Sequence, residues 1–262
     1  MTLSKFSQVS FTWQDSTHAI YYQGKGPAVL ILHELPGMTT ECIELAERVA
    51  AQGFTVFLPL MFGKPGRSSF LSNLIHVCVS REFRCLARHE SSPITNWLRA
   101  LCREVYPQCG GRGVGAIGMC ITGGFVLSMM LEPEMIAPVI CQPGLPFGRT
   151  KPDRQSLGIA PEELEAAKIN AANGVPLLGF RFTQDQICPP ERFERLRQEF
   201  GEAFDGTEVP SEAGKKAYGL LPPHSVLTYS FVDEQGNPTQ QAMDRVLTFL
   251  KQQLSDHAGS KQ

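Results

Sequence analysis

The sequence lacks the features that would place it at once in several large classes of protein. Its apolar runs stay well short of the ~20 residues that cross a bilayer, so we expect no membrane contact. Its 24 basic and 26 acidic residues leave a net charge of -2 with no basic stripe, which argues against a nucleic-acid partner. The opening MTLSKFSQVSFTW has no charged start followed by an apolar core, as a secretory signal would. We therefore expect a soluble cytoplasmic protein.

Patterns of cysteine and histidine that hold disulfides or metals are also missing. The eight cysteines include no C-x-x-C pair, and a chain of 262 residues can fold without covalent staples. The six histidines never fall four residues apart on one predicted helix, so no metal site is expected. Most of the cysteines are interpreted as free thiols in a reducing compartment. Cys120 is set apart by the glycines around it.

Apolar runs alternate with helical patterns along most of the chain, which predicts one α/β domain over 1–262. Continuous apolar runs are typical of strands buried on both faces, so the sheet is expected to be mostly parallel with helices on both sides. An antiparallel hairpin is predicted over 6–13 and 18–23, with Asp15 and Ser16 as its turn. The parallel strands are predicted at 27–33, 54–59, 114–119, 136–142, 175–182 and 203–209. Helices are predicted after Thr39, over 93–106 and 121–131, from 160, and over 190–200 and 239–254.

The end of the chain allows two strand assignments. The segment 225–232, SVLTYSFV, alternates as a strand would, whereas 203–209, AFDGTEV, directly follows a helix that stops at Gly201. Because that helix should return to the sheet at once, 203–209 is predicted as the last parallel strand. The residues between it and the final helix then form an extended excursion. The other assignment would put His224 on the far side of the sheet from Cys120.

Cys120 lies between a predicted strand and a predicted helix, in the stretch GMCITGGF. This is the form of a nucleophile elbow, a strained turn in which bulky neighbours would clash. The thiol would stand at a helix N-terminus, whose partial positive charge favours a thiolate. The Ile121 N–H would point to a developing oxyanion, and the Leu35 N–H, in the loop HELPG, would be the second donor. The alternative is a small buried cysteine in a tight turn.

Two further residues are candidates to act with the thiol. Asp185 follows the predicted strand 175–182, and His224 follows the proposed last strand. Taken singly, each would be interpreted as a solvated loop residue. The order cysteine, aspartate, histidine is that of α/β-hydrolases, in which acid and base come from loops at the carboxyl ends of the later strands. The three residues together therefore predict a catalytic triad.

These segments resemble the dienelactone hydrolase family of α/β-hydrolases over nearly the whole chain. The resemblance is carried by VLILHELPGM, GFTVFLPLMFG, GVGAIGMCITGG, RFTQDQICPPERF and PPHSVLT. The cysteine elbow is the most specific of them, because most α/β-hydrolases use serine. The resemblance implies Cys120 as the nucleophile, His224 as the base and Asp185 as the residue that orients it. It also implies that Glu34 contacts the resting thiol and helps to control its ionisation.

The chain departs from the family pattern at two places. Its elbow, GMCITGG, is one residue longer before the paired glycines than the family's tightest form. After His224 it reads SVLT, where the family's enzymes on dienelactone carry an arginine, so dienelactone itself is not singled out as the substrate. Arg81 and Arg84 are candidates to bind a substrate carboxylate through a bidentate fork. Solvated surface arginines are the alternative interpretation.

The sequence therefore predicts a hydrolase of a small ester, lactone or thioester that acts through an acyl-cysteine. No metal or organic cofactor is needed for this chemistry. One alternative is a thiol enzyme like the class I glutamine amidotransferases, whose base lies in an H-x-E motif that does not occur here. Another is a catalytically silent relative that binds a ligand or partner.

Overall fold

The fold is given by a computed structural model, which covers residues 3–69, 72, 75, 92–144, 150–216 and 222–255; these are the described residues. The strands are β1 Ser7–Trp13, β2 Ser16–Gly24, β3 Ala28–Leu32, β4 Thr55–Pro59, β5 Val114–Met119, β6 Met135–Cys141, β7 Leu177–Phe182 and β8 Phe204–Val209. The helices in these ranges are α1 Thr40–Ala50, α2 Pro93–Cys109, α3 Thr122–Met129, α4 Lys151–Gln155, α5 Pro161–Ala172, α6 Pro190–Phe200 and α7 Pro238–Leu254. None of these helices is long and apolar enough to cross a membrane.

The strands form one sheet in the order β1-β2-β4-β3-β5-β6-β7-β8. From β4 to β8 every neighbouring pair is parallel, while β2 is antiparallel to both β1 and β4. Every residue of β3, β5 and β7 is buried, which explains why β3 and β5 appear in the sequence as unbroken apolar runs and why β7 is interrupted only by Arg181. Parallel strands end at the same edge of the sheet, so the loops after β3, β5, β6, β7 and β8 meet there.

The N-terminal hairpin forms as predicted, but its turn lies one residue earlier. Trp13 pairs with Ser16, so Ser16 belongs to β2 and the turn consists of Gln14 and Asp15. Gln14 takes a left-handed backbone conformation with φ of 52°. A two-residue turn that matches the strand twist needs such a conformation, and glutamine gives no sequence signal for it.

Helices cover both faces of the sheet, as the sequence predicts. Side chains of α2, α3, α5 and α6 pack with the sheet in one apolar cluster, in which the indole of Trp97 is fully buried. Side chains of α1 and α7 pack in a second cluster on the other face. Thr39 caps α1 through its side chain, which accepts a hydrogen bond from the Cys42 N–H. The central strands of the sheet thus form a buried layer, whereas β1 at its edge is largely exposed.

The last strand is β8, which pairs in parallel with β7 from Phe204 to Val209. The prediction of a strand at 203–209 is therefore confirmed. The predicted excursion after it is not extended: Ser211–Ala213 is a 3₁₀ turn and residues 226–230 are consecutive turns. The Ser230 N–H bonds the Ser225 carbonyl oxygen, at 3.0 Å. This compact loop, residues 222–232, places His224 at the edge of the sheet where the parallel strands end.

Candidate active site

Cys120 directly follows β5 and has a left-handed backbone conformation, with φ of 55°. Such a conformation is uncommon outside glycine and must be enforced by surrounding contacts. The Cys120 N–H donates to the Cys141 carbonyl oxygen at 3.1 Å, and the Cys120 carbonyl accepts from the N–H groups of Gly123 and Gly144, each at 3.0 Å. Both backbone polar groups of Cys120 therefore have hydrogen-bond partners, and these bonds fix the backbone position from which the thiol side chain extends.

The Thr122 hydroxyl is a second contact that holds the turn. It is fully buried and accepts a hydrogen bond from the Met119 N–H at 2.8 Å. Its own proton is directed at the carbonyl oxygens of Leu32, at 3.0 Å, and Met119, at 2.8 Å. One side chain therefore joins the end of β3 to the elbow after β5.

The glycines around Cys120 are required by close approach. A Cβ at Gly118 would lie 2.4 Å from the Thr122 carbonyl oxygen, and one at Gly123 would lie 2.9 Å from the Pro143 Cβ. At Gly124 it would lie 2.9 Å from the Leu157 carbonyl oxygen. These distances are shorter than real side chains show, so no larger residue fits without moving backbone. The sequence frame of the elbow is therefore a packing requirement of the turn.

Asp185 and His224 are joined by a short hydrogen bond from Nδ1 to Oδ2, 2.7 Å long. Asp185 follows β7 and is buried, and its other oxygen, Oδ1, accepts from the N–H groups of Ile187 at 2.9 Å and Cys188 at 3.2 Å. These bonds hold the carboxylate through its own loop. Since Nδ1 donates to the carboxylate, the imidazole is fixed in orientation and its second nitrogen, Nε2, is left to interact elsewhere.

Cys120 is the other side chain that acts on His224. Burial alone would lower the pKa of the imidazole, but the charge and hydrogen bond of Asp185, together with the interaction with Cys120, outweigh it and raise the pKa well above 6.5. The Nε2 atom is buried and makes no well-aligned hydrogen bond to a described residue. Catalytic contacts are often loose in an empty site and tighten in a complex. The arrangement therefore brings Cys120, His224 and Asp185 into one interacting group.

Arg181 holds the loop of Asp185 from below. The side chain is completely buried in β7 and forms an ion pair with Glu208 at 2.7 Å. Its remaining nitrogens donate to the carbonyl oxygens of Cys188, at 2.9 Å, Thr183, at 3.2 Å, and Asp185, at 3.4 Å. The sequence analysis does not single out this residue, although a charged residue inside a strand predicted to be fully buried is a usable signal.

Arg192, in the first turn of α6, holds the same loop from the other side. Its guanidinium donates to the carbonyl oxygens of Ile187 at 2.8 Å, Pro143 at 3.0 Å, Ser156 at 2.6 Å and Asp153 at 2.9 Å. It is buried and pairs with no carboxylate of a described residue. This buried cation therefore links the loop after β6 to the loop after β7, on the two sides of the thiol.

Glu34 follows β3 and is buried, with both carboxylate oxygens engaged by the loop of His224. Oε2 accepts from the Ser225 hydroxyl at 2.7 Å, and Oε1 accepts from the Thr228 hydroxyl at 2.5 Å. Within the described ranges no hydrogen bond joins Glu34 to the Cys120 thiol. Both carboxylate oxygens of Glu34 thus bind the histidine loop, and the contact with the thiol that the family resemblance implies stays a prediction.

The two expected oxyanion donors lie at buried positions. Leu35 and Ile121 are 3% and 4% exposed. Among the described residues, neither backbone N–H has a hydrogen-bond acceptor. Buried N–H groups almost always have a partner. The Ile121 N–H follows Cys120 in the chain and the Leu35 N–H lies in the loop after β3, so the prediction that these two groups bind an oxyanion stays open.

Two other polar residues at this edge of the sheet have structural partners. His33 is fully buried, and burial lowers its pKa to about 4, so the ring is neutral. Its Nε2 accepts from the Met61 N–H at 3.1 Å and its Nδ1 donates to the Glu34 carbonyl oxygen at 3.2 Å. Gln142, which the sequence analysis overlooks, has a left-handed φ of 37° and accepts from the Val226 N–H at 3.2 Å. Arg81 and Arg84 lie outside the described residues.

The strand order and the loops that carry the candidate triad define the class of fold. Cys120 follows β5, Asp185 follows β7, and His224 lies in the segment after β8. A mostly parallel sheet with the nucleophile on a sharp strand-to-helix turn, followed along the chain by acid and histidine, is the α/β-hydrolase fold.

Comparisons with known proteins assign the chain to a family within that class. A sequence profile of the Dienelactone hydrolase family matches residues 15–213, so the chain belongs to this family of hydrolases. The matched region includes Glu34, Cys120 and Asp185 and ends before His224. The sequence matches no curated protein.

Solved structures with similar folds include three hydrolases of low sequence identity. The dienelactone hydrolase from Anabaena variabilis ATCC 29413 is 14% identical, with 95% of this chain and 99% of that chain covered and a TM-score of 0.63. A cold-adapted esterase from an Arctic intertidal metagenomic library is 13% identical, with 95% and 93% covered and a TM-score of 0.63. The thioesterase domain from the curacin biosynthetic pathway is 13% identical, with 78% and 92% covered and a TM-score of 0.52. At these identities the likeness establishes the fold.

The Thr122 hydroxyl should be measurable in the stability of the protein. Thr122→Val keeps the shape of the side chain but leaves the buried Met119 N–H without its acceptor. We expect the free energy of unfolding to fall by about 1–3 kcal/mol, as measured by urea denaturation. Thr122→Ser, which keeps the hydroxyl, is the matched control and should lose clearly less. Equal losses in the two variants would show that packing of the methyl group, and not the hydroxyl, supports the elbow.

The pKa of His224 should depend on Cys120 and on Asp185. Because both residues raise this pKa, Cys120→Ala and Asp185→Asn should each lower it, as followed by NMR titration of the imidazole. Since folding raises the pKa above 6.5, the contribution of the protonated ring to stability is complete below pH 6.5. It is lost as the pH rises through the raised value. An unchanged titration in Cys120→Ala would mean that the thiol and the imidazole do not interact.

Proposed function

We propose that this protein hydrolyses small esters, lactones or thioesters through an acyl-cysteine intermediate, with Cys120 as nucleophile, His224 as base and Asp185 as the residue that orients the base. The observation that supports this most directly is the 2.7 Å bond between Asp185 and His224, in a group that also includes Cys120. Such a grouping activates a thiol by removing its proton and stabilising the resulting ion pair.

The exposure of the thiols also favours Cys120 as the nucleophile. Burial raises the pKa of the Cys42, Cys102, Cys141 and Cys188 thiols, which keeps them protonated and unreactive. Cys120 is only half-buried. Among these five thiols it therefore combines access with a neighbouring imidazole.

In the acylation step, His224 holds the proton of the Cys120 thiol, and the sulfur attacks the carbonyl carbon of the substrate. A C–S bond forms while the carbonyl π electrons move to oxygen, and the N–H groups of Leu35 and Ile121 bind that oxyanion. When the intermediate collapses, the bond to the leaving alcohol or thiol breaks. The leaving group takes the proton from His224, and an acyl-cysteine remains.

In the deacylation step, water attacks the thioester carbonyl and His224 accepts one of its protons. The second tetrahedral intermediate uses the same oxyanion donors. Its collapse breaks the C–S bond and releases the carboxylic acid, and His224 then shares its proton with Cys120 again. Asp185 stabilises the positive charge on His224 in both steps and keeps Nδ1 as its hydrogen-bond donor.

The acyl-enzyme is the intermediate that tests this proposal. With 4-nitrophenyl acetate, the wild-type protein should release 4-nitrophenolate continuously, because deacylation regenerates the thiol. In His224→Ala, turnover should fall by roughly 10²–10⁴-fold, since a positioned base is lost. An acetyl group should then accumulate on the Cys120 peptide, as identified by mass spectrometry after proteolysis.

The controls separate nucleophilic catalysis from general thiol reactivity. Cys120→Ala should lose both turnover and the adduct, whereas Cys109→Ala removes a half-buried thiol outside the site and should retain both. Full turnover in Cys120→Ala would contradict the proposed nucleophile. A wild-type protein that binds esters without hydrolysing them would be a silent member of the family.

Glu34 and Thr228 should act on turnover through their shared hydrogen bond. We expect Glu34→Gln and Thr228→Val each to lower kcat by about 10-fold, because a small displacement of the histidine loop misplaces the base. The kcat of the double variant should be close to that of the less active single variant, because both substitutions remove the same hydrogen bond. Thr228→Ser retains the hydroxyl, so its kcat should be close to that of the wild-type protein.

A different pattern would support the thiol contact implied by the family. If Glu34→Gln lowers kcat while Thr228→Val and Ser225→Ala remain as active as wild type, Glu34 acts on Cys120 directly. Initial rates with 4-nitrophenyl acetate, together with thermal denaturation of each variant, distinguish the two cases.

A further inference from the structure

Ile187 is an exposed apolar residue that is held rigidly beside the candidate triad. Its N–H donates to Asp185 Oδ1 at 2.9 Å, and its carbonyl oxygen accepts from the Arg192 guanidinium at 2.8 Å. The side chain is nevertheless 44% exposed. A single exposed isoleucine is ordinary on a protein surface, but here the backbone on which it stands is fixed by the same groups that position the triad.

The Ile187 side chain lies against the nucleophile across Gly144. A methyl group at position 144 would lie 2.8 Å from Ile187 Cγ2 and 3.4 Å from Cys120 Sγ. The first distance is shorter than real side chains show, so the isoleucine packs directly against Gly144, beside the sulfur. Because position 144 is glycine, no side chain of that residue separates the isoleucine from the sulfur. An acyl group bonded to the sulfur is thus formed within reach of the isoleucine.

The described cations around the thiol are not available to a substrate. The buried guanidiniums of Arg181 and Arg192 are occupied by carbonyl oxygens and by Glu208. After His224, the side chains that reach the site are the Ser225 and Thr228 hydroxyls, and both donate to Glu34.

The buried acidic groups favour an uncharged acyl group on electrostatic grounds. Glu34 and Asp185 are both buried at this edge of the sheet, and the two described arginines in the adjoining loops are already occupied by other acceptors. Like charges brought together in a desolvated site are strongly unfavourable.

We propose that the acyl group of the substrate is uncharged and aliphatic, and that Ile187 is the residue that selects it. The inference rests on the proposed function and specifies its substrate class. Ile187 supplies apolar contact to the carbons beyond the reacting carbonyl. Glu34 and Asp185 disfavour acyl groups that end in a carboxylate.

Three 4-nitrophenyl esters test the proposal, because they share one leaving group. They are the acetate, the hexanoate and the mono-ester of adipic acid, which replaces the terminal methyl of the hexanoate by a carboxylate. We expect kcat/KM for the hexanoate to exceed that for the adipate mono-ester by at least about 10-fold, since the carboxylate finds no partner. The acetate controls for the reactivity of the thiol.

Two isoleucine variants distinguish the loss of contact with the acyl group from a general loss of kcat/KM. Ile187→Ala should lower kcat/KM for the hexanoate by about 10-fold, through the loss of apolar contact, and that for the acetate by less than about twofold. The matched control is Ile169→Ala, which truncates a 61% exposed isoleucine on α5, outside the site. It should leave all three rates unchanged.

The possible failures are distinguishable. An adipate mono-ester hydrolysed as fast as the hexanoate would overturn the proposed substrate class, and Arg81→Ala and Arg84→Ala would then identify the residue that binds the carboxylate. Equal losses on acetate and hexanoate in Ile187→Ala would overturn the selecting role of Ile187, since that pattern means a displaced Asp185. If wild-type protein hydrolyses none of the three esters, the proposed function itself fails, and this inference fails with it.

Discussion

The left-handed backbone of Cys120 is the constraint on which the candidate site depends. A cysteine gains nothing intrinsic from φ of 55°, so the conformation persists only because several contacts require it. The Thr122 hydroxyl, the carbonyl of Cys141 and the N–H of Gly144 supply those contacts. The resulting turn is too tight for side chains at Gly118, Gly123 and Gly124. The glycines around Cys120 in the sequence and the sharp turn at Cys120 in the fold therefore have the same physical cause.

Two buried arginines next to the candidate site each hold loop backbone through hydrogen bonds. Arg181 and Arg192 satisfy their hydrogen bonds almost entirely with carbonyl oxygens, which leaves their positive charge uncancelled by direct pairing except at Glu208. A buried positive charge of this kind favours negative charge nearby. Burial lowers the pKa of the Arg192 guanidinium, and the neighbouring Cys188, Cys120 and Asp185 oppose that lowering. Buried cations thus stabilise a loop and its ionised carboxylate at once.

Most of the sheet could be predicted from the sequence because burial on both faces leaves an unbroken apolar run. β3 and β5 are the clearest cases, and every residue in them is buried. The segment 225–232 shows how such patterns can mislead. Its Val226, Leu227 and Phe231 are buried, but they are buried by consecutive turns and not by strand pairing. An alternating sequence pattern therefore does not by itself distinguish a strand from a folded loop.

Candidate site residues could be predicted from the sequence only where their place relative to a predicted strand indicates which edge of the sheet they reach. Cys120 and Asp185 come straight after predicted strands, and His224 lies in the segment that must return toward them. The partners of Glu34 were not predictable in this way. Ser225 and Thr228 are 191 and 194 residues away in sequence, and serine and threonine in a loop carry no signal of what they bind. Contacts of that kind become visible only once the chain is folded.

The Thr122 hydroxyl reaches from the elbow to the carbonyl of Leu32, three residues before Leu35. The nucleophile and the proposed oxyanion donors therefore form a single rigid body that spans two central strands. Ile187 stands on the loop after β7, and its backbone N–H and carbonyl groups are bonded to Asp185 and Arg192. Its side chain takes no part in these bonds. If Ile187 selects the acyl group as proposed, selectivity resides in the side chain of a residue whose backbone helps to position Asp185, so a substitution of that side chain can change the preferred acyl group while the backbone contacts remain.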